Sequence, residues 1–214
     1  PSFPQAVIDV KNVVRWVNAA GPARYGLHGP VSATGASAGG HLAMMLATTA
    51  GDAEFEILDP PTGGYRVAAF VDMWGPSDLV WQIDTYGRHP TIIQFLGEPL
   101  GDDTRALYEH ASPLYQLNAC DRPGALFQCE GDTTVPYPHA VMMADEMNAL
   151  GIYQDLTLRP GGGHGFGPWG GTGPMAEPVA PAIPAHIEHP PSPDFHGSGP
   201  VRTRDVLAFR TASR

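Results

Sequence analysis

The chain has 214 residues, enough for one well-filled domain and too few for two comfortable ones. Its formal net charge is -10, from 12 basic and 22 acidic residues, which argues against nucleic acid or an anionic membrane surface as a partner. No apolar run nears the roughly 20 residues of a membrane-spanning helix, and nothing resembles a signal peptide, so the chain is expected to be soluble. The two cysteines, Cys120 and Cys129, cannot build a disulfide framework, and Cys129 reads as a small buried thiol. Because the first residue is Pro1 rather than methionine, an upstream segment is expected to have been removed.

In chain order, residues 2–20 read as a helix. Ser2 and Gln5 have the spacing of a capping box, Pro4 suits the first turn, and Val7, Val10, Val14 and Val17 recur at three-to-four spacing. Gly21-Pro22 is the expected stop. Residues 30–34 then lead as a strand into GASAGG, Gly35 to Gly40, followed by a small-residue helix from Ala38 to Thr49. The centre of that stretch fits G-x-S-x-G, the pattern of a sharp strand-to-helix turn that lifts a serine clear of a sheet, with Gly35 and Gly39 permitting the tight backbone. Ser37 is the candidate nucleophile. At a helix N-terminus the free N–H groups point toward charge developing on a carbonyl oxygen, and the Ala38 N–H is the first candidate donor for an oxyanion. His41, in the first turn of that helix, reads as packing.

The run RVAAFVDMW, 66–74, reads as a strand buried on both faces, with Asp72 and Asp78 as acids at or after its end. Between 79 and 117 the chain reads as irregular to helical, with Asp102 as the N-cap of DTRALYEHA. Trp74, Trp81 and Tyr86 fall where loops cover strand ends, and Trp74 is a weak candidate for a pocket wall. Residues 125–129 are a further buried run, with Asp132 just past it, then a helix over 138–150 with Val141, Ala144, Met147 and Leu150 as its stripe. The strand YQDLTL ends in RPGGGHGF, which puts His164 on a glycine loop. His28, His89, His110 and His139 read as surface or packing residues. His186 and His189 lack any Cys or carboxylate at ligand spacing, so no metal site is expected.

Alternating strands and helices predict an α/β architecture with a parallel sheet flanked by helices, whose sites lie outside the carboxyl ends of the strands. Ser37, Asp132 and His164 each follow a predicted strand at that end. The chain order Ser, Asp, His is unlike that of chymotrypsin-like or subtilisin-like enzymes. In this arrangement His164 would take the Ser37 proton and Asp132 would hold the imidazole.

On these residues the chain resembles the α/β-hydrolase carboxylesterases, in particular the branch with acetyl-xylan and feruloyl esterases and kynurenine formamidase-like enzymes. The matching stretches are FPQAVIDVKNVVRWV, GASAGGHLA, WGPSDL, ASPLYQL, GDTTVP and PGGGHGF, which together cover about 3–166. The resemblance implies an α/β-hydrolase fold, carboxylic esters as small-molecule substrates, an acyl-enzyme at Ser37 and no cofactor; short-chain or aromatic acyl esters are the expected substrates. The family's N-terminal strands and its His-Gly-Gly loop, the second arm of the oxyanion hole, have no counterpart in this sequence, since His28-Gly29 lies directly before the serine strand. One incomplete domain over 1–214 is therefore expected, with an open core that invites homo-oligomerisation. The Pro- and Gly-rich tract 167–200 reads as a loop insert within it, with Phe166 and Trp169 as weak pocket candidates and a short closing helix beyond. Two other functions fit the same residues: an amidase such as an arylformamidase, and a catalytically inactive hydrolase-like fragment.

Overall fold

Helices and strands alternate along residues 2–56 and 64–164, the part of the chain described by the computed structural model. The first helix, α1, spans Gln5–Tyr25, running past the expected end at residue 20 and through the expected stop. Pro22 lies inside it, and the helix ends at Gly26 in the left-handed conformation. Proline removes a helical N–H, but the carbonyls of Gly21 and Pro22 are met by the N–H groups of Leu27 and Gly26, so the last turn closes normally. The expected capping box does not form. Gln5 turns away to donate to Asp9 Oδ1 at 2.7 Å, and the Ser2 backbone carbonyl, not its side chain, accepts from Ala6 N.

Strand β1 (Ala33–Ala36) runs into α2 (Ala38–Thr48), which returns the chain to β2 (Phe70–Met73). Four short helices follow, α3 (Leu79–Tyr86), α4 (Pro90–Leu96), α5 (Arg105–His110) and α6 (Pro113–Gln116), before β3 (Gly124–Cys129), α7 (Pro138–Ala149) and β4 (Gln154–Arg159). Asp78 caps α3 by accepting from Trp81 N at 2.9 Å. Helix α5 starts after Thr104 rather than at Asp102, because Thr104 Oγ1 accepts from Gly101 N and donates to Pro99 O at 2.8 Å each, closing the turn that Asp102 was expected to cap.

The described strands form one parallel sheet in the order β1-β2-β3-β4. Parallel strands need crossover connections, which the intervening helices supply. Successive residues face opposite sides of a sheet, and the packing follows that alternation. Phe70 of β2 and Leu126 of β3 join Val14 of α1, Met44 of α2 and Met143 and Met147 of α7 in the main core. Val71, Ala125, Phe127 and Cys129 gather with Trp74 on the other face. Each of the buried Val, Leu, Met and Phe side chains among them contributes about 1.5–3 kcal/mol. Along α7 the buried stripe is Ala140, Met143, Ala144 and Met147, one position off the expected phase at its start. A basic group is drawn inside here: Lys11 of α1 is fully buried, donating to Thr49 O and to Glu56 Oε1, which ties α1 to the carboxyl end of α2, where a cation is favoured. Among the described residues no helix is long and apolar enough to cross a membrane.

The tightest backbone contact lies behind the β1–α2 turn. A Cβ on Gly35 would collide with the Gly39 carbonyl, whereas one on Gly39 would meet nothing within 4 Å; the second glycine of the tight pair is thus not Gly39 but Gly40, whose Cβ would strike Asp72 Oδ1. Gly35→Ala is expected to lower stability by about 3 kcal/mol or more, because backbone and not a flexible side chain must yield. Gly39→Ala is expected to be neutral or mildly stabilising, since alanine is the better helix former. Urea unfolding of the two variants checks this, and equal midpoints would contradict it.

Candidate active site

Ser37 sits between β1 and α2 with φ 54 and ψ -122, a region costly for a residue with a side chain. Backbone bonds on both sides hold it there: its N–H donates to Met73 O at 2.9 Å, and its carbonyl accepts from His41 N at 3.0 Å. Ala38 opens α2, so its N–H belongs to the first helical turn, which the helical ladder leaves unused.

Asp132 follows β3 and is almost fully buried. Its Oδ1 accepts from the N–H groups of Thr134 (2.8 Å) and Val135 (3.0 Å), as expected of an Asp in a post-strand turn. Its Oδ2 accepts from Gln128 Nε2 at 3.0 Å and from His164 Nδ1 at 2.8 Å. Burial pushes the carboxyl pKa up, but the His164 bond and the two backbone N–H groups outweigh it and hold it below the ordinary carboxylate value. Asp132 is therefore a carboxylate at neutral pH. A carboxylate only accepts, so the proton of His164 lies on Nδ1 and its Nε2 lone pair faces Ser37 Oγ, 2.8 Å away.

His164 reaches Ser37 from the far edge of the sheet because of its loop. Gly161 and Gly162 take φ of 68 and 72, conformations that favour glycine, and the loop folds back onto the turn carrying Asp132. Gly131 N donates to Gly161 O at 3.1 Å, and a Cβ on Gly131 would overlap the Gly162 carbonyl.

The other acids near strand ends lie elsewhere. Asp72 points to the helix side of β2, where Oδ1 accepts from Gly75 N at 2.9 Å and Oδ2 is buried without a partner. Burial raises its pKa well above the usual value, only partly offset by the Gly75 bond, so it holds a proton where Asp132 does not. Asp78 is the α3 cap already described.

A cavity of about 670 Å³ opens beside Ser37 and Ala38, walled by Leu42, Leu79, Ile92, Phe95 and Val135. Trp74 is not part of that wall: it is buried, with φ 50, and its ring centroid lies 6.5 Å from that of His164. Trp81 packs on His139 and Tyr86, and neither Trp81 nor Tyr86 lines the cavity. Phe166, Trp169 and the 167–200 tract lie outside the described residues. Sequence reasoning missed Gln128, His139 and Gln82. Gln128 had a signal, being a polar residue inside the buried run ALFQC, where it must find partners. His139 had none; it is fully buried, accepts at Nδ1 from Ser77 N and Asp78 N, and meets Gln82 Oε1 through Nε2 at 2.6 Å.

Such a turn, acid and histidine beyond the carboxyl ends of a parallel sheet define an α/β-hydrolase fold, and solved structures agree. A truncated carbohydrate esterase from gut microbiota superposes with a TM-score of 0.72 at 23% identity, over 79% of this chain and 65% of that one. An acetyl ester-xyloside bifunctional hydrolase from Caldicellulosiruptor lactoaceticus gives 0.69 at 22%, over 87% and 66%. The BD-FAE family profile matches residues 1–147, and the chain belongs to that family. It is also 26% identical over 185 residues to "Esterase LipC" of Mycobacterium tuberculosis, a match covering 83% of this chain and 45% of that protein; the chain thus spans less than half the length of this relative.

Burial lowers the His41 pKa to about 4, against the smaller opposing effect of its bond to Pro76 O. The unfolded chain, with histidine near 6.5, binds a proton in the window from about 6.5 to 4 that the folded chain does not. The His41 contribution is therefore complete above that window and is lost as pH falls through it. Asp72, with its raised pKa, acts in the opposite sense, so the comparison needs a variant. His41→Gln is expected to lose about 2 kcal/mol less than the parent between pH 7 and pH 4.5. Parallel stability–pH curves from urea unfolding would contradict the buried neutral state of His41.

Proposed function

We propose that the chain carries the catalytic machinery of a serine carboxylesterase, with Ser37 as nucleophile, His164 as general base and then acid, and Asp132 as the group that holds the imidazole. The observation that carries this reading is the pair of 2.8 Å hydrogen bonds joining Asp132 Oδ2 to His164 Nδ1 and His164 Nε2 to Ser37 Oγ, within the reach that proton transfer requires. The esterase and hydrolase names borne by similar proteins support it.

In the proposed cycle Ser37 Oγ attacks the ester carbonyl carbon as its proton passes to His164 Nε2. The resulting oxyanion is met by the Ala38 N–H at the start of α2. Asp132, kept ionised by its four hydrogen-bond donors, stabilises the imidazolium. The bond to the alcohol oxygen then breaks as His164 returns the proton to it, leaving an acyl group on Ser37, and water repeats the two transfers to release the acid. The mostly apolar cavity suits a short-chain or aromatic acyl ester.

Incubation with a fluorophosphonate followed by intact-mass measurement tests the role of Ser37: one adduct is expected on the parent and none on Ser37→Ala. A folded parent without an adduct would sink the reading. Asp132→Asn is expected to lower kcat on a 4-nitrophenyl ester on the order of 10³–10⁴-fold, because the amide no longer holds the required tautomer. Gln128→Leu removes one donor to Asp132 and is expected to cost roughly tenfold in kcat, read in the same assay.

A further inference from the structure

The cavity beside Ser37 is apolar along most of its wall; of the polar side chains that line it, which also include Ser2, His89, Thr91, Gln94 and Thr134, His41 and Gln82 are the two that are themselves buried, and the hydrogen bonding of each is only half used. His41, one helical turn beyond Ser37, is 5% exposed and lines the cavity. Its Nδ1 lies 3.0 Å from Pro76 O; a carbonyl only accepts, so Nδ1 carries the hydrogen and Nε2 is an acceptor. Nε2 is buried and has no partner. An unmet buried acceptor costs free energy that a ligand donor can recover.

The second of the two is Gln82, on α3, 3% exposed and also on the cavity wall. Its orientation is set by His139. Both Ser77 N and Asp78 N donate to His139 Nδ1 at 3.2 Å, so the ring hydrogen is on Nε2 and is donated to Gln82 Oε1. The carbonyl arm of Gln82 is thereby occupied, and its –NH2 is the polar group left for the cavity. His139 sits in turn at the start of α7, where Ser77 Oγ donates to its carbonyl at 2.7 Å, so the amide is held from below by a buried lattice of bonds.

We infer that Gln82 and His41 form a polar subsite, one donor and one acceptor, that recognises a hydroxyl group on the ester attacked by Ser37. This rests on the esterase reading above. A hydroxyl is the simple group that both accepts and donates. A ketone or ether oxygen would satisfy Gln82 and leave His41 Nε2 unmet; a carboxylate would face the His41 lone pair; an alkyl group would leave both unmet. Leu79, Ile92 and Phe95 nearby suit the carbon frame that bears the hydroxyl. That hydroxyl belongs either to the acyl part of the ester or to its alcohol part, and matched pairs distinguish them.

The test compares kcat/KM for 4-nitrophenyl butyrate with 4-nitrophenyl 3-hydroxybutyrate, and for propyl acetate with 2,3-dihydroxypropyl acetate. The parent is expected to favour the hydroxylated member of one pair by about tenfold or more, as sites built to bond a hydroxyl do. Gln82→Met and His41→Phe address the donor and acceptor separately, and in whichever variant folds by circular dichroism the ratio is expected to fall toward one. A variant that loses rate equally on both members of the favoured pair would show a merely structural role and overturn the inference. So would a parent that forms the fluorophosphonate adduct and hydrolyses both members of each pair alike, an outcome that leaves the esterase reading standing. A parent that forms no adduct and cleaves none of the four esters would overturn both.

Discussion

The geometry around Ser37 depends on how closely β1 and α2 approach each other. The Gly35 carbon lies against the Gly39 carbonyl, and Gly40 against Asp72 and Gly75, so the turn has no room to relax toward a conformation that serine prefers. A costly backbone conformation persists when its surroundings determine it from several sides. Here one constraint comes from the helix, one from β2 through Met73 O, and one from the buried Asp72 side chain against which both Gly40 and Gly75 are pressed. The serine is thus aimed by β2 as much as by its own strand.

Two aspartates, one in β2 and one just past β3, show how hydrogen bonding, rather than burial, decides a charge. Asp72 and Asp132 are both inaccessible to solvent. Asp72 has one backbone donor and keeps its proton; Asp132 has four donors and stays ionised. The same distinction separates the histidines. Helices α2, α3 and α7 together bury His41 and His139 as neutral rings, whereas His164, beside the carboxylate, is partly open to solvent. Neutral rings serve as directed donors and acceptors, and a ring beside a carboxylate can carry a proton in transit.

Much of this could be read from the residues. The strands that end at Ala36, Met73, Cys129 and Arg159 were legible as the runs 30–34, 66–74, 125–129 and 153–158, the second and third because apolar segments bounded by glycine have few alternatives in an α/β chain. The turn at Ser37 was legible because few other uses require that spacing of small residues. Asp132 was chosen over Asp72 and Asp78 as the acid for His164 by its place after a strand; what residue order does not display is the contact that brings the two together. That contact depends on Gly131 meeting Gly161 and Gly162, in segments about thirty residues apart. The end of α1 was misread for a local reason: Gly-Pro is a usual stop, but Pro22 falls in the last turn, where the N–H groups of Gly26 and Leu27 meet the terminal carbonyls of Pro22 and Gly21. Gln82 and His139 gave no signal because their meaning lies in each other, 57 positions apart.

The order of the sheet gives the site a particular relation to synthesis. Among the described strands Ser37 follows β1 at one end of the order and His164 follows β4 at the other, 127 residues later, and the carboxylate between them follows a third strand, β3. During synthesis the N-terminal part of a chain emerges first, so Ser37 leaves the ribosome well before the imidazole that lies 2.8 Å from it. Until β4 is laid down and its glycine loop has doubled back over Asp132, the Ser37 hydroxyl has no imidazole to bond to. An unfinished chain therefore lacks the bond between His164 and Ser37, and that bond reports that β1 and β4 have both taken their places in the sheet.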